Sequence, residues 1–455
     1  MALVYDLTPK AVPEINTAYR RIKTKIPVPE SLPILKALAR FEPLSMTGQP
    51  PIVWHRADGF QVFDKWGNKW IDWSSGVLVA SAGHTAPAVV SALMDQIAQG
   101  LLHNYCFPSE IRAKLVERLV GLAPEGIDKC FLLTTGSETI ECAIKLARTH
   151  GAKVGGAKKL GIVSFEGAFH GRTLGSQQAG GSPALKEWIG SLDPNFHQVP
   201  FPGDWRCEDK SFDLFLKTLK QKRVTPEKVC CVITETYQGG NAGFLPVEYA
   251  KKLREWCTEN DILLVFDEVQ AGFGRTGTLW GFEHYGVVPD LICCGKAISS
   301  SLPLSCVLGR GDIMDLFGPR EMTSTHTGNP LCCAAALASI QTILDKGLIS
   351  NAAVVGEYLL RKLEDIASRH PVIGAVQGKG LVAAVHIVKP GTKDPDTELA
   401  FRIVGSCFEK GLLMFAPVGF KGATVKVSPP LCITKEAIDD SCLAFEEAVA
   451  EAAKS

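Results

Sequence analysis

Between residues 130 and 308 the chain sets six short, unbroken apolar runs between helical or loop stretches. The runs are CFLLT (130–134), LGIVSF (160–165), VCCVIT (229–234), ILLVF (262–266), LICC (291–294) and LSCVL (304–308). They are continuous rather than alternating, which is the pattern of strands covered on both faces. Between them lie amphipathic helices: Ile140, Ala143, Ile144 and Ala147 recur at helical spacing, as do Val247, Ala250, Leu253 and Trp256. The expectation is an α/β fold with a mostly parallel sheet. The ends read differently. FQVFDKWGNKWIDWSSG (60–76) predicts a hairpin turning at Gly67-Asn68, and from about residue 340 helix, strand and glycine-rich turns mix. Residues 81–340 are therefore expected to form a large domain, with 1–80 and 341–455 combining into a smaller α+β domain built from both termini.

With 455 residues the chain exceeds what one core supports. Lys+Arg and Asp+Glu are both 48, so no global field draws in nucleic acid or an acidic membrane. No apolar run nears the ~20 residues of a membrane helix, and the N-terminus lacks the basic-then-apolar layout of a signal peptide. A cytoplasmic location is expected. The 15 cysteines sit largely inside apolar runs and show no C-x-x-C spacing, so they read as small core residues, and no metal site is expected.

In parallel sheets ligands bind beyond the carboxyl ends of the strands. After the first run comes Thr134-Thr135-Gly136-Ser137-Glu138 and then a helix, whose outward N–H groups suit a phosphate. Alone, this is also an ordinary helix cap. After LGIVSF come Phe169, His170 and Arg172, an aromatic plate with an imidazole and a guanidinium. Glu235 follows the third run, Asp267 the fourth and Gly295-Lys296 the fifth. An amine, an acid, an aromatic plate and a phosphate-cradling helix on one sheet edge together suit pyridoxal phosphate. Lys296, with its pKa lowered by burial, would form the Schiff base. Asp267 would pair with the protonated pyridine nitrogen and keep the ring an electron sink.

At these residues the chain resembles the class III (ornithine/4-aminobutyrate type) aminotransferases of the fold type I pyridoxal-phosphate family. FDEVQAGFGRTG with Lys296 in PDLICCGK carries the resemblance, which runs from Asp72 and Gly83-His84 to Pro429-Pro430-Leu431. It implies a seven-stranded sheet, a dimer or a tetramer, and a set of cofactor contacts. Gly136 and Ser137 would give amides to the phosphate. Phe169 and Val269 would flank the ring, Gln270 would reach its phenolic oxygen, and Glu235 matches the family's glutamate after the third strand. Thr325, in STHTGNP, would contact the phosphate bound mainly by the other subunit.

The resemblance also implies substrate contacts. Arg172 would bind a distal acid group on an amine donor, with its pairing to Glu166 as the alternative. Val77 and Tyr105 would line the pocket. Members of the family commonly carry EPVQGEGG, whose later Glu switches onto an Arg near the C-terminus. Here Gly240 replaces that acid, and Lys426 stands in the arginine's place. Lys offers a point charge where Arg offers a fork, a loss of about 1–3 kcal/mol for a carboxylate. The expected activity is transfer of an amino group from an amino acid or ω-amine to a keto acid. Elimination of phosphate or ammonia by a lyase of the same family is the alternative, and epimerisation a weaker one.

Overall fold

The structure is a computed structural model that describes residues 3–454. It separates into two compact units, one of Pro87–Gly239 and Gly243–Ile349, the other of Met1–Ala86, Gly240–Ala242 and Ser350–Ser455.

The first unit is built on a seven-stranded sheet. Its strands are β1 (Lys129–Leu133), β2 (Gly161–Phe165), β3 (Phe196–Val199), β4 (Val229–Glu235), β5 (Leu263–Asp267), β6 (Leu291–Cys294) and β7 (Ser305–Gly309), in the order β1-β7-β6-β5-β4-β2-β3. Only β7 runs against its neighbours. The six apolar runs are thus strands, and the sheet is mostly parallel as expected. The seventh, β3, is not announced by an apolar run, because FHQV is a half-buried edge strand with polar positions.

Helix α1 (Gly136–Gly155) buries Ile140, Ala143, Ile144 and Ala147 in one cluster with Leu133, Ile162, Cys231, Val265 and Cys293. Helix α2 (Val247–Glu259) buries Tyr249, Ala250, Leu253 and Cys257. Its apolar stripe is rotated from the expected one: Val247 lies exposed in the first turn, and Trp256 packs edge-on against Phe215. All fifteen cysteines are free thiols. In the parallel part of the sheet the strands end together, with Asp267 level with Glu235 on one side and Cys293 on the other. That register is what assembles one edge of carboxylates, amine and loops.

In the second unit, Gln61–Phe63 and Lys69–Asp72 form the expected hairpin, with Val62 opposite Trp70. Its turn passes through Gly67 at φ +90 and is closed by the Asp64 carboxylate, which accepts from Trp66 N, Asn68 N and Asn68 Nδ2. A second sheet of three antiparallel strands joins Ile373–Gly378, Ala383–Ile387 and Thr424–Val427.

Just after the hairpin the backbone turns left-handed. Ser75, Gly76, Val77 and Leu78 have φ of 51, 56, 63 and 62° in succession. Each non-glycine residue there costs about 1–2 kcal/mol. The buried Asp72 carboxylate holds the turn by accepting from Ser74 N at 2.7 Å, Ser74 Oγ at 2.6 Å and Gly76 N at 3.2 Å, and it meets His84 Nε2 at 2.8 Å. Ser75 Oγ donates to the Ser428 carbonyl. Among the described residues no single helix is long and apolar enough to cross a membrane.

Candidate active site

The carboxyl edge of the large sheet gathers most of the residues singled out from sequence. Asp267 ends β5 and is almost wholly buried. Its Oδ1 accepts from Val269 N at 3.1 Å, and its Oδ2 lies 2.8 Å from His170 Nδ1. Level with it on the neighbouring strand β4, Glu235 accepts from Phe169 N at 3.0 Å and Gly239 N at 2.8 Å. Those two bonds tie the loop after β2 and the loop after β4 to one carboxylate.

Lys296 follows β6 in a left-handed conformation, φ 44°. Burial lowers its pKa, while Asp267 and Glu235 pull the other way; the net direction is down. A neutral amine is therefore more accessible than on a surface lysine. For His170, burial works against the charged form, but the Asp267 hydrogen bond and the charges of Asp267 and Glu235 outweigh it and raise its pKa. Burial pushes Glu235 up to about 7, His170 opposing and Asp267 reinforcing the shift. Glu268 is likewise pushed to about 7 by burial, against three donors that favour its ionised form.

These shifts carry a prediction. Both glutamates bind protons more readily in the fold than at their ordinary value of 4.5, so the stability they contribute is complete below that value and is lost as pH rises through about 7. His170 has the same sign, and Lys296, whose pKa is lowered, the opposite one. Each glutamate is worth at most on the order of 3 kcal/mol. The cofactor-free protein is expected to melt higher at about pH 5.5 than at pH 7.5 in calorimetry. An equal or lower melting temperature at the acid end would refute it.

At the start of α1, Thr135 caps the helix by accepting from Glu138 N, and the Glu138 carboxylate accepts in return from Thr134 N and Thr135 N. This leaves the N–H groups of Gly136 and Ser137 without an acceptor among the described residues. A Cβ on Gly136 would come within 2.9 Å of Val269, and one on Gly295 within 3.2 Å. Val269 therefore closes on glycines from both sides. A Cβ on Gly239 would strike the Gln270 amide at 2.2 Å, so Gln270 lies directly over that glycine. Its carbonyl accepts from the Tyr237 hydroxyl at 3.0 Å.

Phe169 is partly exposed, and the Arg172 guanidinium stands 5.6 Å from its ring centre. Arg172 makes no ion pair with Glu166; its backbone N–H donates to Ser137 Oγ at 3.2 Å. Tyr105 has φ 52°, is exposed, and donates its hydroxyl to Thr323 Oγ1. Thr325 is exposed as well. Val77 and Lys426 belong to the other unit, Val77 exposed on the left-handed turn and Lys426 buried opposite Ala384. Gly240 is in that unit too, where a Cβ on it would meet the backbone of Gly419 at 3.1 Å.

Two groups of consequence show no role of their own in the sequence. His170 is legible there only as one member of the FHGR cluster, yet it is the partner of Asp267, and its buried Nε2 has no hydrogen bond among the described residues. Glu268, the second acid of FDEVQ, is buried with three donors of its own: Thr236 Oγ1, Gly281 N and Phe282 N.

The residues fit pyridoxal phosphate. Asp267 and Glu235 lie buried at the edge with the His170 imidazole, and a protonated ring nitrogen is a fitting partner for the Asp267 carboxylate. Two open amides at a helix start suit a phosphate, an amine of lowered pKa suits an aldehyde, and a partly exposed aromatic side chain, Phe169, suits a flat ring.

The chain matches the family model "Aminotransferase class-III" over residues 45–449. It is 34% identical over 432 residues to a 4-aminobutyrate aminotransferase of Mycobacterium leprae, covering 92% of this chain and 95% of that protein. Among solved structures, a Bacillus anthracis aminotransferase superposes with a TM-score of 0.86 at 26% identity, covering 93% of this chain and 99% of the other. An ornithine aminotransferase from Toxoplasma gondii, with pyridoxal phosphate partly occupying its active site, gives 0.82 at 26% identity over 92% and 94% of the two chains.

Proposed function

We propose that Lys296 is the amine that holds the cofactor and moves the substrate's proton in this chain, which belongs to the class-III aminotransferases and transfers amino groups with pyridoxal phosphate. The observation that carries this is a half-buried lysine just past β6, whose pKa desolvation lowers against the pull of two buried carboxylates, Asp267 and Glu235, at the neighbouring strand ends. When bound, the cofactor supplies a sink for the electron pair left on the substrate carbon. Asp267, steadied by His170 and Val269 N, holds a proton at the ring nitrogen. The Lys296 amine, once free, would take a proton from the substrate carbon and deliver it to the carbon that the cofactor's aldehyde supplies. Gly136 and Ser137 would anchor the phosphate, Phe169 and Val269 would hold the ring between them, and Gln270 would meet its phenolic oxygen. Glu235 binds the two flanking loops, which fixes where Phe169 stands.

The donor in this reading is an amine with a remote anionic group, which Arg172 receives over the Phe169 face. The guanidinium has no carboxylate partner among the described residues and the M. leprae relative is named for an ω-amino acid; both support it. Tyr105, exposed beside Thr323, lines the substrate's path. The protein works in the cytoplasm as a homodimer, or as a tetramer made of two such dimers, with Thr325 reaching the neighbouring site. Exposed Met94, Ile97, Leu101, Leu102 and Phe107 give the larger unit an apolar surface of the kind that subunits cover.

The similarities favour transfer over elimination or epimerisation. The test uses the cofactor-loaded protein with amines bearing distal carboxylate, phosphate or phosphonate groups and no keto acid. The visible cofactor band is expected to fade and stay faded as the amino group is taken up. Arg172→Leu is expected to raise the amine concentration required by roughly 10- to 100-fold, the worth of a charge-assisted contact. If the band returns while ammonia or phosphate accumulates, the enzyme eliminates rather than transfers.

A further inference from the structure

Glu268 is one residue past Asp267, yet its side chain turns away from the edge and into the loops behind it. Its Oε1 accepts from the Thr236 hydroxyl and from Phe282 N at 3.1 Å, and its Oε2 accepts from Gly281 N at 2.7 Å. Its own N–H donates to the Cys293 carbonyl at 2.8 Å, and its carbonyl accepts from Gly272 N at 2.9 Å. Five hydrogen bonds thus fix one residue to four separate stretches of chain.

The surroundings allow little else. A Cβ on Gly281 would meet Thr236 Cγ2 at 2.8 Å and Glu268 Oε1 at 3.2 Å, so the loop after residue 280 presses its bare backbone on the carboxylate. The Thr236 carbonyl in turn accepts from the Tyr285 hydroxyl, which itself accepts from Leu245 N. The loops after β4 and β5 are therefore knotted through Glu268, and Val269 and Gln270 emerge from the knot. Both neighbours of the knot are fixed independently, Asp267 by His170 and Gln270 by the Tyr237 hydroxyl.

We infer that Glu268 is a positioning residue for the cofactor: by anchoring the backbone on which Val269 and Gln270 stand, it sets where one ring face and the phenolic oxygen are met. This rests on the cofactor contacts proposed above. All three partners of the carboxylate are donors, so an amide in its place must turn an N–H₂ toward one of them. Glu268→Gln therefore keeps the size of the side chain while breaking the knot.

The experiment compares wild type, Glu268→Gln and Thr236→Val as purified full-length proteins titrated with pyridoxal phosphate. It follows the dissociation constant, the visible circular dichroism of the bound cofactor and the far-ultraviolet signal. Glu268→Gln is expected to weaken cofactor binding about 10- to 100-fold and to diminish the visible dichroic band, with far-ultraviolet signal unchanged. Thr236→Val, which removes one donor and leaves the carboxylate its two backbone partners, is expected to change both in the same direction but less. If both variants bind the cofactor with wild-type affinity and an unaltered visible band, the inference is overturned. If wild type itself binds no pyridoxal phosphate, the cofactor reading fails instead, and the two failures are distinct. Should Glu268→Gln not fold, Thr236→Val decides.

Discussion

Lys296→Ala is expected to lower turnover by about 10⁴-fold or more, because one substitution removes both the covalent anchor and the general base. The protein should still fold, since burial already disfavours this ammonium group, and Gly295 and Ala297 keep the backbone path. The same change should abolish the covalent mark left when the loaded protein is reduced with borohydride. In wild type that mark is expected on the peptide containing Lys296. The chain offers rival buried lysines, Lys159, Lys186 and Lys426, so the peptide map discriminates. Lys186 donates to the Gln178 carbonyl and Lys159 to that of Asn260, which occupies their amines. A label on any of the three would sink the assignment. Partial recovery of turnover by a small added amine would identify the lost function as proton transfer.

The second large effect is Asp267→Asn, expected to cut kcat/KM by about 10³-fold, the scale on which loss of one fixed electrostatic contact at a reacting centre is felt. Asparagine can still accept from Val269 N and face His170, so the geometry of the strand end survives while the charge goes. Removing the carboxylate also takes away the charge of Asp267 that helps to raise the pKa of His170, leaving Glu235 to oppose its burial and moving that pKa down. Stopped-flow measurement of the half-reaction with an ω-amino acid checks this directly. Wild-type rates in Asp267→Asn would mean that the carboxylate is only a structural clamp on His170.

The parts of this molecule that were legible in its sequence are those governed by short-range pattern. Buried parallel strands must be apolar on both faces, so six of seven could be read directly, and the residues just past each strand could be lined up along one edge. Asp267 and Lys296 stood out because each breaks an apolar run at its carboxyl end. The edge strand Phe196–Val199 needs only one covered face and left no such mark. The partners of the acids were equally silent, since His170 is 97 residues from Asp267 and Thr236 is 32 from Glu268. Sequence proximity carries nothing about contacts of that kind. The left-handed turn at Ser75–Leu78 had only Gly76 to announce it; the Asp72 carboxylate holds it, not the local preference of Ser75, Val77 or Leu78.

The meeting of Gly240 with Gly419 bears on how such an enzyme can change its substrates over generations. A side chain at 240 would run into the backbone of Gly419, and one at 419 would run into the Gly240 carbonyl at 2.4 Å. Neither position can acquire an acid alone without moving the loop that carries the other. Substitutions at the two sites are therefore coupled sterically: a side chain at 240 needs the Gly419 backbone to give by a few tenths of an ångström, and one at 419 needs the Gly240 carbonyl to move.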